Sequence, residues 1–441
     1  MEHNRSKQKF KPFTLRHLDA IPGLADLPKD DRLAVKVVGS VLPFRVNSYV
    51  AEQLIDWDDL PNDPIYQLVF PQPGMLKPGD FSDMAELIRR DAPKAEVEAL
   101  AWKIRARLNP HPAGQLEHNV PRLDGRRVSG LQHKYRETVL CFPARAQTCH
   151  AYCSFCFRWP QFVGDADLRQ ANMQATDVHR YLAEHEDVTD LLMTGGDPMV
   201  MQARHLEEYL KPLLDGGLEH IRTLRFGSKA LTYWPYRFTT DDDADDLLRL
   251  FERLVAQGRS VSFMAHFNHW REMTPPAVAE AIGRIRNTGA TIRCQGPLLK
   301  HINDDPAVWS RMWRDQVGLG MVPYYMFVAR DTGARHYFEV PLGRAWEIFK
   351  DAASSVSGIA RTVRGPSMSA TPGKIEVQGV AEIAGEKVFA LRMLQGRDPD
   401  WTYRPFFARY DEKAAWLDDL KPAFGERRFF FEKAGRDIRA A

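Results

Sequence analysis

Six short apolar runs, at 138–142, 190–194, 223–227, 260–265, 291–294 and 322–327, constrain the fold of this chain more than any other feature. Between them lie stretches with apolar residues at three- and four-residue spacing, at 204–214, 243–257, 275–288 and 306–317. The third opens on Thr274-Pro275-Pro276, an N-cap followed by proline in the first helical turn. Short apolar runs alternating with helix-length segments are the pattern of repeated β-α units around a parallel sheet, so the expected fold class is α/β. Six units make a partial (β/α)6 barrel of TIM-like type. Each run leads into a polar group: Cys149, Cys153 and Cys156 after the first, then Gly195, Gly196 and Asp197, then Ser228, His266, Gln295, and Arg330 with Asp331. The carboxyl ends of successive parallel strands are where α/β barrels build their sites.

Residues 1–130 are charged and helix-prone, with periodic segments at 85–90 and 95–105 and proline punctuation at 70–74 and 109–114; they read as a helical accessory domain. The barrel is expected over 131–345. Residues 346–441 form a C-terminal extension, holding most of a helix candidate at 342–353, a glycine-rich turn and an aromatic tail with Trp401, Tyr403, Phe406, Phe407 and Phe429 to Phe431. That tail suits either its own domain's core or an interface.

Composition narrows the class. A chain of 441 residues, 44% of them hydrophobic, can bury a large core without disulfides. Its five cysteines are too few and too clustered for a secreted disulfide framework, and MEHNRSKQKFKPF lacks the apolar stretch of a signal peptide, so a cytoplasmic location is expected. No apolar run approaches the roughly 18 residues that would span a bilayer. With 60 basic and 58 acidic side chains the net charge is +2, which gives no field for nucleic acid.

Cys149, Cys153 and Cys156 follow a C-x3-C-x2-C spacing on one loop after a strand. Zinc prefers four ligands, and His150, adjacent to Cys149, would strain the chelate. Three thiolates on a [4Fe-4S] cluster leave one iron open to an outside ligand. Three unrelated buried thiols and a zinc site are the competing readings.

The spacing, with Phe155 before the last cysteine, resembles the signature of the radical S-adenosylmethionine enzymes, in which S-adenosylmethionine chelates the fourth iron. Gly195-Gly196-Asp197 resembles that superfamily's motif for the methionyl amino group. The order of Thr-Gly-Gly-Asp (194–197), Arg-Phe-Gly-Ser (225–228), His-Phe-Asn-His (266–269), Leu-Leu-Lys-His-Ile-Asn-Asp-Asp (298–305) and Pro-Tyr-Tyr (323–325) resembles the lysine 2,3-aminomutase family over roughly residues 130–380. The resemblance implies a radical S-adenosylmethionine barrel, an amino acid substrate whose amino group moves from the α- to the β-carbon, pyridoxal 5′-phosphate as a further cofactor, a reductant such as flavodoxin or ferredoxin, and a homo-oligomer. It makes Lys374 the pyridoxal phosphate lysine, Arg158 the grip on the substrate α-carboxylate and Lys134 a phosphate contact, with Ser228, His266 and Gln295 as S-adenosylmethionine or cofactor contacts. The turn before Lys374 departs from the family's run of glycines.

Lysine-specific members hold the distal ammonium with two aspartates. Counted without gaps, those positions here are Arg330 and Ser367, and Arg364 adds a further positive charge nearby. A guanidinium in place of a carboxylate repels an ammonium and attracts an acid. The expected substrate therefore has an acidic or neutral side chain, with glutamate foremost. A one-residue slip that puts Asp331 at the first position would instead preserve lysine specificity. Rival readings are deamination or modification of a protein lysine by the same machinery, and a non-catalytic iron–sulfur or zinc protein.

Overall fold

The computed structural model describes residues 8–109, 119–164 and 171–433. Its N-terminal part contains helices α1 (Lys29–Val41), α2 (Pro78–Arg89) and α3 (Lys94–Leu108), which pack on one another. Helix α1 buries Ala34, Val35, Val37, Val38 and Val41. Those valines belong to a hydrophobic cluster that also takes in Trp159, Tyr233, Trp234, Leu299 and Phe338, so this region's core is completed by loops of the following sheet.

The sheet begins with β1 (Leu131–Tyr135) and β2 (Thr138–Cys141). Five further units follow in chain order: α4 (Ala175–Ala183) and β3 (Asp190–Met193), α5 (Ala203–Leu214) and β4 (Thr223–Ser228), α6 (Ala244–Ala256) and β5 (Ser260–His266), α7 (Pro276–Asn287) and β6 (Thr291–Leu298), and α8 (Pro306–Gly318) and β7 (Val322–Val328). Strands β2 to β7 are parallel and adjacent in sequence order. These are the six expected strands. Strand β5 is buried along most of its length, as a strand covered on both faces must be. Helix α6 buries Leu247, Leu248, Phe251 and Leu254, one stripe at helical spacing that faces the sheet. Helix α8 starts on Asp305, whose carboxylate accepts the Ala307 amide at 2.8 Å, with Pro306 in the first turn.

The extension differs from the sequence-based expectation of a helix, a turn and a tail. After α9 (Leu342–Ser354) come β8 (Arg364–Ser369), β9 (Gly373–Ile383), β10 (Glu386–Gly396) and β11 (Pro405–Arg409). Strand β8 adds to β7 in parallel, and β9 to β11 continue the same sheet antiparallel, giving eleven strands with β1 and β11 at its edges. The long β9–β10 hairpin closes on Ala384-Gly385, both at positive φ. A two-residue turn of that geometry is usually announced by Asn-Gly or Asp-Gly, which is why the hairpin is inconspicuous in the sequence. Trp401, Phe406, Phe429 and Phe431 fill a third hydrophobic cluster with β8, β9 and β10, so most of the aromatic tail packs on its own chain. Among the described residues no helix is long and apolar enough to cross a membrane.

Candidate active site

The carboxyl ends of the parallel strands open into two joined chambers of about 360 Å³ and about 370 Å³. Arg158, Arg225, Arg330, Ser369 and Lys374 line both. The first chamber takes Cys149, Cys153, Cys156, Gly195, Gly196, Asp197, Ser228, His266 and Gln295; the second takes Lys134. Of the residues singled out from the sequence for the site, Ser367 and Arg364 line neither.

The cysteine loop leaves β2 and is held from the N-terminal region. Ser154 Oγ donates to the Gln67 carbonyl at 2.7 Å, the Tyr152 amide donates to the Arg45 carbonyl at 2.8 Å, and Asn47 Nδ2 donates to the His150 carbonyl at 3.1 Å. Burial raises the Cys149 thiol well above its usual range, and the charges of Asp197, Cys156 and Cys153 add to the effect. Cys156 is pushed up to about 12 by burial and then by Cys153. Three thiolates crowded in this way call for a cationic centre. The donor set, sulfur alone from three ligands beside an open chamber, fits a [4Fe-4S] cluster with one free iron.

The loop after β3 packs against this one. A Cβ on Gly196 would lie 2.3 Å from the Thr148 carbonyl oxygen, so glycine is required by the close approach of two backbones. The Asp197 carboxylate accepts hydrogen bonds from the Met199 amide at 2.9 Å, Ser228 Oγ at 3.0 Å and the Lys229 amide at 2.9 Å. It braces β3 to β4, while burial pushes its pKa up to about 6. His266 is driven down to about 3 by burial and then by the Lys229 charge, and its Nδ1 has no hydrogen-bond partner. A neutral imidazole with an unmet nitrogen, beside two glycines and Gln295, is a polar wall suited to S-adenosylmethionine.

Lys374 opens β9. A Cβ on Gly373 would lie 2.2 Å from the Gln395 carbonyl oxygen, so the glycine lets β9 and β10 approach at this point. The ammonium of Lys374 sits 4.2 Å from the Tyr325 ring centre and 5.6 Å from that of Phe327. Burial pushes its pKa down to about 8, which makes the free amine accessible near neutrality. Lys134 Nζ donates to the Ala370 carbonyl at 2.5 Å, and Arg397 Nε donates to the Thr371 carbonyl at 2.8 Å, so two cations grip the turn that precedes Lys374. Burial holds Lys134 far below its usual range, and Arg397, Arg330 and Lys374 press it further. Four mutually repelling cations around one chamber fit a phosphate-bearing cofactor.

Arg158 lies 4.1 Å over the Phe142 ring, and burial brings its pKa down to about 10. Arg330 stands between the rings of Phe157, at 5.2 Å, and Trp416, at 5.6 Å, with its Nε 3.6 Å from Asp331 Oδ1. Asp331 and Asp418 line the same chamber. Ser367 is fully buried and donates to the Met326 carbonyl at 3.4 Å. Arg364 is exposed and donates to Tyr325 Oη at 3.3 Å; it brings no charge into the chambers. Sequence reasoning missed Arg397, Trp416, Asp418, Ser369 and the Asp190–Arg225 pair, whose Nε donates to Oδ1 at 2.8 Å. Of these only Arg225 stands in a matched motif; Ser369 and Arg397 reach the second chamber at the ends of the paired strands β8 and β10, and Trp416 and Asp418 from the segment after β11.

No protein-family model matches the chain. A putative L-lysine 2,3-aminomutase of Aquifex aeolicus is 30% identical over 413 residues, covering 93% of this chain and 96% of the relative. The L-lysine 2,3-aminomutase of Bacillus subtilis is 24% identical over 79% of this chain and 63% of its own length. The glutamate 2,3-aminomutase of Clostridioides difficile is 26% identical over 48% and 47%. Among solved structures, Streptococcus suis SuiB bound to its precursor peptide aligns at a TM-score of 0.35 and 10% identity over 61% of this chain and 56% of that one, too distant to bear on the site. With three thiols, a glycine pair and Lys374 around one cavity and a relative matched along nearly its whole length, the chain belongs to the lysine 2,3-aminomutase family, isomerases that use a [4Fe-4S] cluster, S-adenosylmethionine and pyridoxal phosphate.

Proposed function

We infer that this chain is a 2,3-aminomutase for an amino acid with an acidic or neutral side chain, glutamate foremost. The observation that carries the substrate class is Arg330, a half-buried guanidinium lining the chamber at the position where, by gapless count, a lysine enzyme would present a carboxylate. Bound in the chambers, the cluster and S-adenosylmethionine supply the radical, and pyridoxal phosphate supplies the delocalisation that lets an amino group pass between neighbouring carbons.

The protein's part is binding, orientation and exclusion of water. Arg158 presents a planar fork to the α-carboxylate. Lys374 offers its amine over the Tyr325 ring, which with Phe327 forms an apolar floor. Lys134 and Arg397, which grip the turn before Lys374, would hold the cofactor's phosphate. Arg330, clamped between two aromatic rings, is positioned for a side-chain carboxylate. A low-potential carrier such as flavodoxin or ferredoxin serves as reductant, and a cytoplasmic homo-oligomer is the expected form.

The rival, a lysine substrate held by acidic residues, draws on Asp331 and Asp418 in the same chamber. Arg330 already engages Asp331, which opposes that role. An anaerobic incubation with glutamate, glutamine, aspartate or lysine, read for β-amino products, decides the matter. We expect β-glutamate, and a fall in kcat/KM of about 100-fold in Arg330→Gln as the charge pair with the substrate carboxylate is lost. Fast β-lysine formation, unaffected by Arg330→Gln, overturns the reading.

A further inference from the structure

Beneath the cysteine loop lies a contact that the substrate chemistry does not use. Tyr233 Oη is 3.5 Å from Cys153 Sγ, within hydrogen-bond distance for sulfur. A cysteine that ligates iron is a thiolate and has no proton to give, whereas a phenol keeps its proton to about pH 10. The tyrosine is therefore the donor.

This contact is fixed on several sides. Tyr233 is 1% exposed, so water does not compete for the sulfur from that direction. Asn47, fully buried, donates from Nδ2 both to the Tyr233 carbonyl at 2.9 Å and to the His150 carbonyl at 3.1 Å, while its Oδ1 accepts the Val50 amide at 3.0 Å. One side chain from the N-terminal region thus sets the spacing between the tyrosine's turn and the cysteine loop. On the other face of the turn, Lys229 Nζ lies 4.7 Å from the centre of the Tyr233 ring and is held there by Glu272 at 2.6 Å and Asn268 Oδ1 at 2.9 Å. A cation against the ring withdraws electron density from the phenol and strengthens its O–H as a donor.

We propose that Tyr233 tunes the reduction potential of the [4Fe-4S] cluster by donating a hydrogen bond to the Cys153 thiolate, with Asn47 as a positioning residue for that bond. Adding an electron makes the sulfurs more negative, so a donor stabilises the reduced cluster more than the oxidised one and raises the potential. The effect requires no particular amino acid substrate, so it stands or falls apart from the assignment of glutamate.

The test is a mediated redox titration of the reconstituted enzyme, without substrate, followed by electron paramagnetic resonance of the reduced cluster. Tyr233→Phe keeps the ring and removes the donor. At a fixed potential the ratio of reduced to oxidised cluster should fall about threefold to tenfold. Tenfold corresponds to about 59 mV for a one-electron couple. Asn47→Leu should move the potential the same way by a smaller amount. Full iron content with an unchanged potential in Tyr233→Phe overturns the proposal. Pulsed resonance of the wild-type reduced cluster in D2O gives a second reading that needs no variant: a strongly coupled exchangeable deuteron at a ligand sulfur is expected, and its absence overturns the proposal equally.

Discussion

Gly196→Ala tests whether the cluster loop is held by close contact of two backbones. The added Cβ would lie 2.3 Å from the Thr148 carbonyl oxygen, 2.6 Å from its carbon and 2.7 Å from its nitrogen. Restoring an ordinary contact of about 3.5 Å means a displacement of roughly 1 Å. Neither side yields easily, since all three atoms are main chain and the Gly196 and Asp197 amides are tied to the Ala146 carbonyl at 2.8 and 3.1 Å. Crowding of this kind costs about 1–3 kcal/mol, here toward the upper end. Thr148 is bonded to Cys149, so the displacement falls on a proposed iron ligand, and ligand geometry tolerates only about 0.2 Å. The variant should fold with a lowered melting temperature and take up less than about a third of the wild-type iron after anaerobic reconstitution. Gly283→Ala is the control: it lies inside α7 with no atom within 4 Å of a new Cβ, so it should hold full iron and gain up to about 1 kcal/mol of stability. Full iron and an unchanged melting temperature in Gly196→Ala would refute the argument.

Two further outcomes follow from single residues. With Lys374 near 8, uptake of pyridoxal phosphate, read as absorbance at about 420 nm, should rise with pH to a plateau above about 8 and vanish in Lys374→Ala. The cofactor-free protein should gain stability between about pH 8 and 10, because there the unfolded lysine, titrating near 10.4, binds more protons than the folded one; a flat stability profile counts against the assigned burial. Ser367→Asp, which restores the residue of lysine-specific relatives by gapless count, should lose about 3 kcal/mol in chemical denaturation without gaining lysine activity, since position 367 is fully buried against the Met326 carbonyl. A stable variant with β-lysine activity would refute that placement.

The barrel was legible because each parallel strand is a local apolar run and each following helix a local periodic one; the six runs and the four intervening helices appear within a few residues of their expected bounds. The cysteines, the Gly195-Gly196 pair and Lys374 stood out as candidates because the proposed chemistry demands fixed residue types at fixed spacing, and they line one cavity. The helix at 175–183 and the β8–β11 extension were not, the former being short and the latter depending on pairing along a sheet edge and on an Ala-Gly turn.

By itself, then, the sequence determined the α/β class and marked out the cysteine triplet and Lys374 as candidates, since local periodicity and motif spacing are properties of the chain. Only the tertiary structure decided which charges meet in the chambers. It turned Ser367 and Arg364 away, brought Arg397, Trp416 and Asp418 in, set Arg330 between two rings, and placed Tyr233 on Cys153 from 80 residues along the chain. The physical reason is that a side chain's direction follows from the register and twist of its strand, which are settled by partners far away in sequence.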